Sequence, residues 1–373
     1  MKSKKLDSRA IALLEEMVSI PAPSSQEEAR SAFLRKKILS YLKDEGLEDK
    51  VIMAGIKNNI ILYSPAESKK TLLMCAHMDT VKPSEGSIPS PAWKAGKLYG
   101  LGTNDDGASA VCMLEAFLSH AKGKLNLLLA LTAEEENGGA NGLPLVLEYI
   151  KKQKVIPMPD FALVGEPTGM KAAVGEKGLL VLDATSKGTR SHAAHLQQDN
   201  AIYNAVKDIE TLRKFKFRRN SDVTGPTHLA VTQINAGSAH NIVPDTCTFV
   251  VDIRFNEKYT PEEILRILSV KTSCSLKARN LKHRCCVTPA GSPLWETVQE
   301  LGIETYVSPT SSDWARLTVP AIKIGPGESS RSHKAGEYIT KGEIAGGIKG
   351  YSLIIKHLQR NYNGYTLGQR RQI

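Results

Sequence analysis

Thr71-Leu72-Leu73-Met74-Cys75-Ala76-His77-Met78-Asp79 is the stretch that decides the fold. A short apolar run ends abruptly in a histidine and a carboxylate. Runs of this kind are typical of strands buried on both faces. The theme recurs at residues 60–63, 125–131 and 161–164. Between these runs, residues 6–20, 27–45, 108–121 and 143–151 carry helical patterns, with Ser24 or Ser25 as the expected N-cap of the second. Strands alternating with helices predict an α/β fold: a mainly parallel sheet with helices on both faces.

The style changes near residue 176. Strands are expected at 179–185, 229–233, 246–254 and 275–280, and helices at 200–213 and 261–270. That is a compact α+β unit of ordinary domain size. After about residue 284 the first style returns, with a strand at 321–324 and a last helix at 341–358. The expected organisation is therefore a first domain of residues 1–175 and 284–373 with a second domain, 176–283, inserted into it. The polar segment 361–373 is expected to fray.

A chain of 373 residues is long for one core, and 41% hydrophobic with 24% charged residues is a globular balance. There is no apolar run of membrane-spanning length, and Leu6-Asp7-Ser8-Arg9 is no leader core, so a cytoplasmic protein away from membranes is expected. The six cysteines show no CxxC spacing, which argues against thiolate zinc and a disulfide scaffold. The net charge of +10 raises nucleic-acid binding. The basic residues are scattered, however, and their densest run, Arg213 to Arg219, carries no such motif. No nucleic-acid partner is expected. A positive field also suits carboxylate substrates.

The residues that carry chemistry stand just past the strand ends. His77 and Asp79 are two apart at a strand end and project together, as a metal-binding histidine and its orienting carboxylate would. Gly100-Leu101-Gly102-Thr103-Asn104-Asp105-Asp106-Gly107 opens a helix but is neither a P-loop nor a dinucleotide fingerprint. Asp105 is a candidate bridge between two metals; Asp105 or Asp106 as a helix N-cap is the plainer alternative. Glu134-Glu135-Glu136 directly succeeds a buried strand, where three carboxylates repel one another unless a cation sits among them. A solvated loop is the competing reading. Glu166 comes after the run 161–164. His333 stands in a loop after 321–324 and alone would pass for a surface residue. Ligands bind at the carboxyl ends of strands in parallel α/β sheets. Two histidines and three carboxylates make a hard N/O set suited to Zn, Co or Mn. Five such ligands, one bridging, suffice for two metals.

Taken in order along the whole chain, these motifs resemble the dinuclear-zinc family of glutamate carboxypeptidase, aminoacylase, succinyl-diaminopimelate desuccinylase and acetylornithine deacetylase. Gly100-Leu101-Gly102-Thr103-Asn104-Asp105, and Ser329-Ser330-Arg331-Ser332-His333 before Glu337-Tyr338-Ile339, look most like the acetylornithine deacetylase branch. The resemblance implies two divalent metal ions, Zn or Co. His77, Asp105 and Glu166 would hold one, and Asp105, Glu136 and His333 the other. Asp79 would orient His77, and Glu135 would be the general base. It implies that the inserted domain is a lid through which the chain forms a homodimer. Arg190-Ser191-His192-Ala193 matches the motif whose histidine, here His192, serves the partner subunit's site by stabilising the oxyanion. Asn241 and Asp252-Ile253-Arg254 also match, making Arg254 the clamp for a substrate carboxylate with Asn241 assisting. The chain departs from the family at Glu134, often Asp there; at Gly107-Ala108, often Lys-Gly; and at Pro309–Asp313, commonly Gly-Gly-Thr-Asp.

The function implied is hydrolysis of the amide of an N-acyl amino acid. N-acetylornithine stands first, with N-succinylornithine or N-acetylcitrulline beside it, in arginine biosynthesis. The alternatives are succinyl-diaminopimelate desuccinylation, dipeptide cleavage, and an inactive relative that only binds a metabolite. The last should have lost Glu135 or a metal ligand, and none is lost. Arg331 and Lys323 are possible anion contacts favouring a succinyl group; structural roles are the alternative.

Overall fold

The computed structural model describes residues 2–86, 90–195 and 199–362. In chain order come α1 (Lys2–Val18), α2 (Glu28–Asp44), β1 (Ile52–Ile56), β2 (Asn59–Ser64), β3 (Thr71–His77), β4 (Ala92–Lys94), β5 (Lys97–Tyr99), α3 (Gly107–His120), β6 (Asn126–Thr132), α4 (Leu143–Gln153), β7 (Phe161–Val164) and β8 (Ala172–Glu176). The chain continues through β9 (Gly178–Lys187), β10 (Ser191–His192), α5 (Ala201–Lys214), β11 (His228–Ala236), β12 (Ile242–Val243), β13 (Thr246–Phe255), α6 (Pro261–Lys271), β14 (Ser275–Ala278) and β15 (Cys286–Val287). It closes with α7 (Pro293–Glu300), β16 (Thr305–Ser308), β17 (Ala321–Lys323), β18 (Tyr338–Thr340) and α8 (Lys341–Asn361). The segment expected to fray lies, from residue 363 on, outside the described residues.

The chain divides into two compact units. One comprises Met1–Val174, Thr288–Tyr306 and Ser312–Ile373; the other comprises Gly175–Val287 and Val307–Ser311. These limits differ from the expected ones by a few residues, and Val307–Ser311 goes with the second unit. The reason is that β8 and β16 run unbroken through the division, so no loop marks it.

In the first unit the sheet has the order β1-β2-β6-β3-β7-β17-β8. Its centre, β6-β3-β7-β17, is parallel, and β1, β2 and β8 are antiparallel additions. The apolar runs are buried throughout, as strands covered on both faces require. Alternate residues divide between the faces. Leu72, Met74 and Ala76 join the large core with Leu14, Leu34, Phe117, Val298 and Ile355, from α1, α2, α3, α7 and α8. Leu143, Val146 and Ile150 of α4 are buried outside that cluster, so α4 covers the opposite face. Among the described residues no helix is long and apolar enough to cross a membrane.

The second unit is a four-stranded antiparallel sheet, β11-β13-β9-β14. The buried positions of β9 alternate with half-buried ones, and α5 and α6 cover the buried face through Ala201, Ala205, Leu212, Ile264 and Leu268. Asn200 caps α5 by accepting the Ile202 N–H. β11 is an edge strand whose residues are mostly exposed, Ile234 among them at 51%.

Candidate metal centre

Parallel pairing brings the carboxyl ends of three strands to one edge. His77 ends β3 opposite Thr132, the end of β6, while Cys75 faces Val164, the end of β7. The segments leaving these ends carry Asp79, Glu134–Glu136 and Glu166. Asp105 arrives on the loop before α3 and His333 on the loop after β17.

Two groups of donor atoms form there: His77, Asp105 and Glu166, and Asp105, Glu136 and His333, with the atoms of each group within 4.8 Å of one another. His77 Nε2 lies 3.2 Å from Asp105 Oδ1. His333 Nε2 lies 3.1 Å from Glu136 Oε1 and 3.7 Å from Asp105 Oδ2. Asp105 is common to both groups. The N-cap of α3 is Asp106, not Asp105, and its side chain makes no capping bond.

The carboxylates strain against one another. Burial pushes Glu135 and Glu166 well above the usual carboxylate range, and neighbouring acids add to this: Asp313, Glu136 and Asp105 at the first, Asp105 and Glu135 at the second. Burial pulls His77 down, but its bonds to Asp105 and Asp79 outweigh that and hold the imidazole pKa well up. Acids crowded together, pushed up by burial and by one another, are what a binding place for positive charge looks like. The donor set is all N and O, which fits Zn, Co or Mn.

Asp79 sits behind this shell. Its carboxylate is 3.5 Å from His77 Nδ1, so Nε2 is the nitrogen turned towards Asp105. It also accepts the backbone N–H groups of Glu135 at 3.1 Å and Glu136 at 3.2 Å, and the Ser24 hydroxyl at 2.7 Å. One side chain thus fixes the imidazole and the acidic turn together.

Within that turn the three glutamates have different surroundings. Glu134, at φ 56°, folds back to accept the Asn141 N–H at 3.1 Å and the Asn141 side-chain amide at 2.8 Å. Glu136 faces His333. Glu135 has neither engagement; burial raises it and Asp313, Glu136 and Asp105 add to that, against the pull of His77.

Several participants were not apparent in the sequence. Neither Ser24 nor Ser25 caps α2: the cap position is Glu27, which makes no capping bond. Their hydroxyls are drawn to the site instead, Ser24 to Asp79 and Ser25 to Glu134 at 3.3 Å. Glu27, fully buried, accepts the N–H groups of Ser25 and Glu134 and the Asn58 amide. Asp313 is buried, accepts the Thr132 hydroxyl at 3.1 Å, and is pushed up by burial to about 6. The one available signal for Glu27 was its place just after Ser24-Ser25; for Asp313 it was its place at the end of Pro309–Asp313, where the family commonly has Gly-Gly-Thr-Asp. Arg331 is paired with Glu343 at 2.8 Å and stacked on Tyr338, and Lys323 is 1% exposed within β17. The Lys323 charge acts on the Glu166 carboxyl, lowering its pKa against the effect of burial.

His192, Asn241 and Arg254 lie in the second unit. His192 pairs with Ile242 across β10 and β12, and the Asn241 carbonyl accepts the Ala193 N–H at 3.0 Å. His192 Nδ1 accepts the Ala194 N–H at 3.1 Å, so in the neutral ring the proton is on Nε2. Arg254 is engaged bidentately by Asp252, two residues away on the same strand face, at 2.9 and 3.2 Å.

The profile of peptidase family M20/M25/M40 matches residues 73–357. The chain belongs to that family. Its members' chemistry is metal-dependent hydrolysis of amide bonds, with divalent metal ions as cofactors. A succinyl-diaminopimelate desuccinylase of Pelagibacter ubique is 28% identical over 276 residues, covering 68% of this chain and 70% of the relative. A tripeptidase from Staphylococcus aureus has the same fold, with a TM-score of 0.73 at 20% identity over 95% of this chain and 99% of that one. So does a Bacillus subtilis protein described as a dinuclear metal binding peptidase of the M20 family, with a TM-score of 0.65 at 15% identity, covering 95% and 99%.

Proposed function

We propose that this M20 hydrolase removes the acyl group from an N-acyl amino acid, using two zinc or cobalt ions. The observation that carries the reading is the sharing of Asp105 by two ligand groups with Glu135 beside them. Among acyl groups the succinyl-diaminopimelate type comes first, because relatives spread over most of the chain's length bear that name. The arginine-pathway substrates N-acetylornithine, N-succinylornithine and N-acetylcitrulline come second, on the motifs around Asp105 and His333.

His77, Asp105 and Glu166 would hold one ion and Asp105, Glu136 and His333 the other. When bound, such a pair supplies Lewis-acid polarisation of the amide carbonyl and lowers the pKa of water. Glu135 takes the proton of the attacking water and delivers it to the leaving amine nitrogen. Asp79 keeps His77 and the acidic turn in place. In the second unit, Arg254 exchanges Asp252 for the substrate carboxylate with Asn241 assisting, and His192 donates from Nε2 to the oxyanion in a partner subunit's site. The exposed edge of β11 supports homodimerisation through this unit.

The test is amine release by zinc- or cobalt-loaded protein from N-succinyl-diaminopimelate, the three arginine-pathway compounds and a dipeptide, each with and without chelator. Chelator-sensitive release from one acyl amino acid upholds the reading and names the acyl group. Release from the dipeptide alone replaces it with peptidase activity, and release from none leaves a binding protein.

A further inference from the structure

Two loops far apart in sequence carry two of the three ligands of the second donor group. The loop at 100–107 bears Asp105, and the segment 325–337 bears His333. Nothing in either loop's own sequence sets the separation between them. Two side chains outside the ligand set, those of Glu337 and Asn104, hydrogen-bond across the two segments.

Glu337 is buried, and its Oε1 accepts three backbone N–H groups of the first loop: Gly102 at 3.0 Å, Asn104 at 2.9 Å and Asp105 at 3.0 Å. Its main-chain carbonyl accepts a fourth, from Gly100 at 3.1 Å. Its own N–H donates to the Lys334 carbonyl at 3.1 Å, closing the turn just after His333. Asn104 makes the reciprocal connection. Its Oδ1 accepts the Glu328 N–H at 2.9 Å, and its Nδ2 donates to the Glu328 carbonyl at 3.2 Å. A Cβ at Gly327 would overlap Asn104 Oδ1, so a glycine there admits the amide. The loops are therefore joined in both directions, each by a side chain reaching into the other's backbone.

We infer that Glu337 and Asn104 form a clasp that positions the bridging Asp105 against His333 and so builds the second metal site. This rests on the two-metal reading of the proposed function. Glu337 is a positioning residue, not a ligand: its one oxygen with partners points to peptide N–H groups, and it belongs to neither donor group. A carboxylate accepting several backbone N–H groups holds a loop more firmly than a neutral acceptor. Outer partners of this kind typically change metal affinity about 10- to 100-fold when removed.

The experiment is zinc titration of the apo protein against a chromophoric chelator, at a temperature where circular dichroism shows each variant folded. Wild type should take up two ions per chain. Glu337→Ala should bind zinc about 10- to 100-fold more weakly, with the larger loss at the ion that His333 holds. Glu337→Gln, which retains an accepting oxygen but not the charge, should recover part of that loss, and Asn104→Ala should show a smaller loss at the same site. A merely structural role would lower the melting temperature of Glu337→Ala without changing zinc affinity in the folded protein. Two ions bound by Glu337→Ala with wild-type affinity would overturn the clasp. If Glu337→Ala does not fold, Asn104→Ala carries the test on the same criterion. A wild type that binds fewer than two ions would overturn the two-metal reading itself, and the clasp with it.

Discussion

Asp79→Asn perturbs the site without changing its shape. In the native protein Oδ1 accepts the Glu135 N–H at 3.1 Å and faces His77 Nδ1, while Oδ2 accepts the Glu136 N–H at 3.2 Å and the Ser24 hydroxyl. Every neighbour is a donor. An amide placed there must turn its NH2 towards one backbone N–H or the other, whichever way it is rotated. At least one hydrogen bond to a charged acceptor is lost, worth about 1.5–3 kcal/mol. That corresponds to roughly 10- to 150-fold in an equilibrium constant. The loss should fall on metal affinity, since Asp79 holds His77 and the turn bearing Glu136. The assay is zinc competition with a chelator, paired with a melting curve so that affinity is compared between folded proteins. A folded Asp79→Asn protein with wild-type zinc affinity and wild-type kcat would refute the orienting role.

Three further outcomes are expected. Glu135→Gln should abolish turnover while binding zinc as wild type does, checked by metal content and amine release on one sample; a metal-free variant would move the ligand assignment within Glu134–Glu136. A Cβ at Gly142 would overlap the Ala133 carbonyl oxygen, so Gly142→Ala should displace the acidic turn and lower stability by about 1–3 kcal/mol in denaturant unfolding. His192→Ala should cut kcat by about 10²–10³ with metal content unchanged; an unaltered kcat would remove His192 from the reaction.

The parts of the fold legible in the sequence were those written in local patterns. The unbroken apolar runs of β3, β6 and β7 could be read as strands buried on both faces, and three of the five ligands, His77, Glu136 and Glu166, stood at or soon after their ends. The alternation in β13 likewise indicated a strand with one open face. What was not legible depends on distant partners. Ser24 and Ser25 have the chemistry of helix caps, and their diversion to Asp79 and Glu134 requires residues 55 and 109 positions away. Glu337 acts on backbone N–H groups more than 230 residues earlier, so no spacing could announce it. The short edge strand β1, with Gly55 inside it, lacks the apolar run that betrays its neighbours. Arg254 shows the opposite limit: the Asp252-x-Arg254 spacing puts both on one strand face, and their pairing was open to inference but overshadowed by the motif.

The most direct test of the account tracks bound metal and amide hydrolysis together while zinc is added to apo protein, using the best substrate of the panel. The account predicts that hydrolysis rises with added metal, reaches its plateau at two ions per chain, and disappears when a chelator strips them. Hydrolysis that persists after the metal is removed, or two bound ions with no hydrolysis of any amide tested, would contradict it.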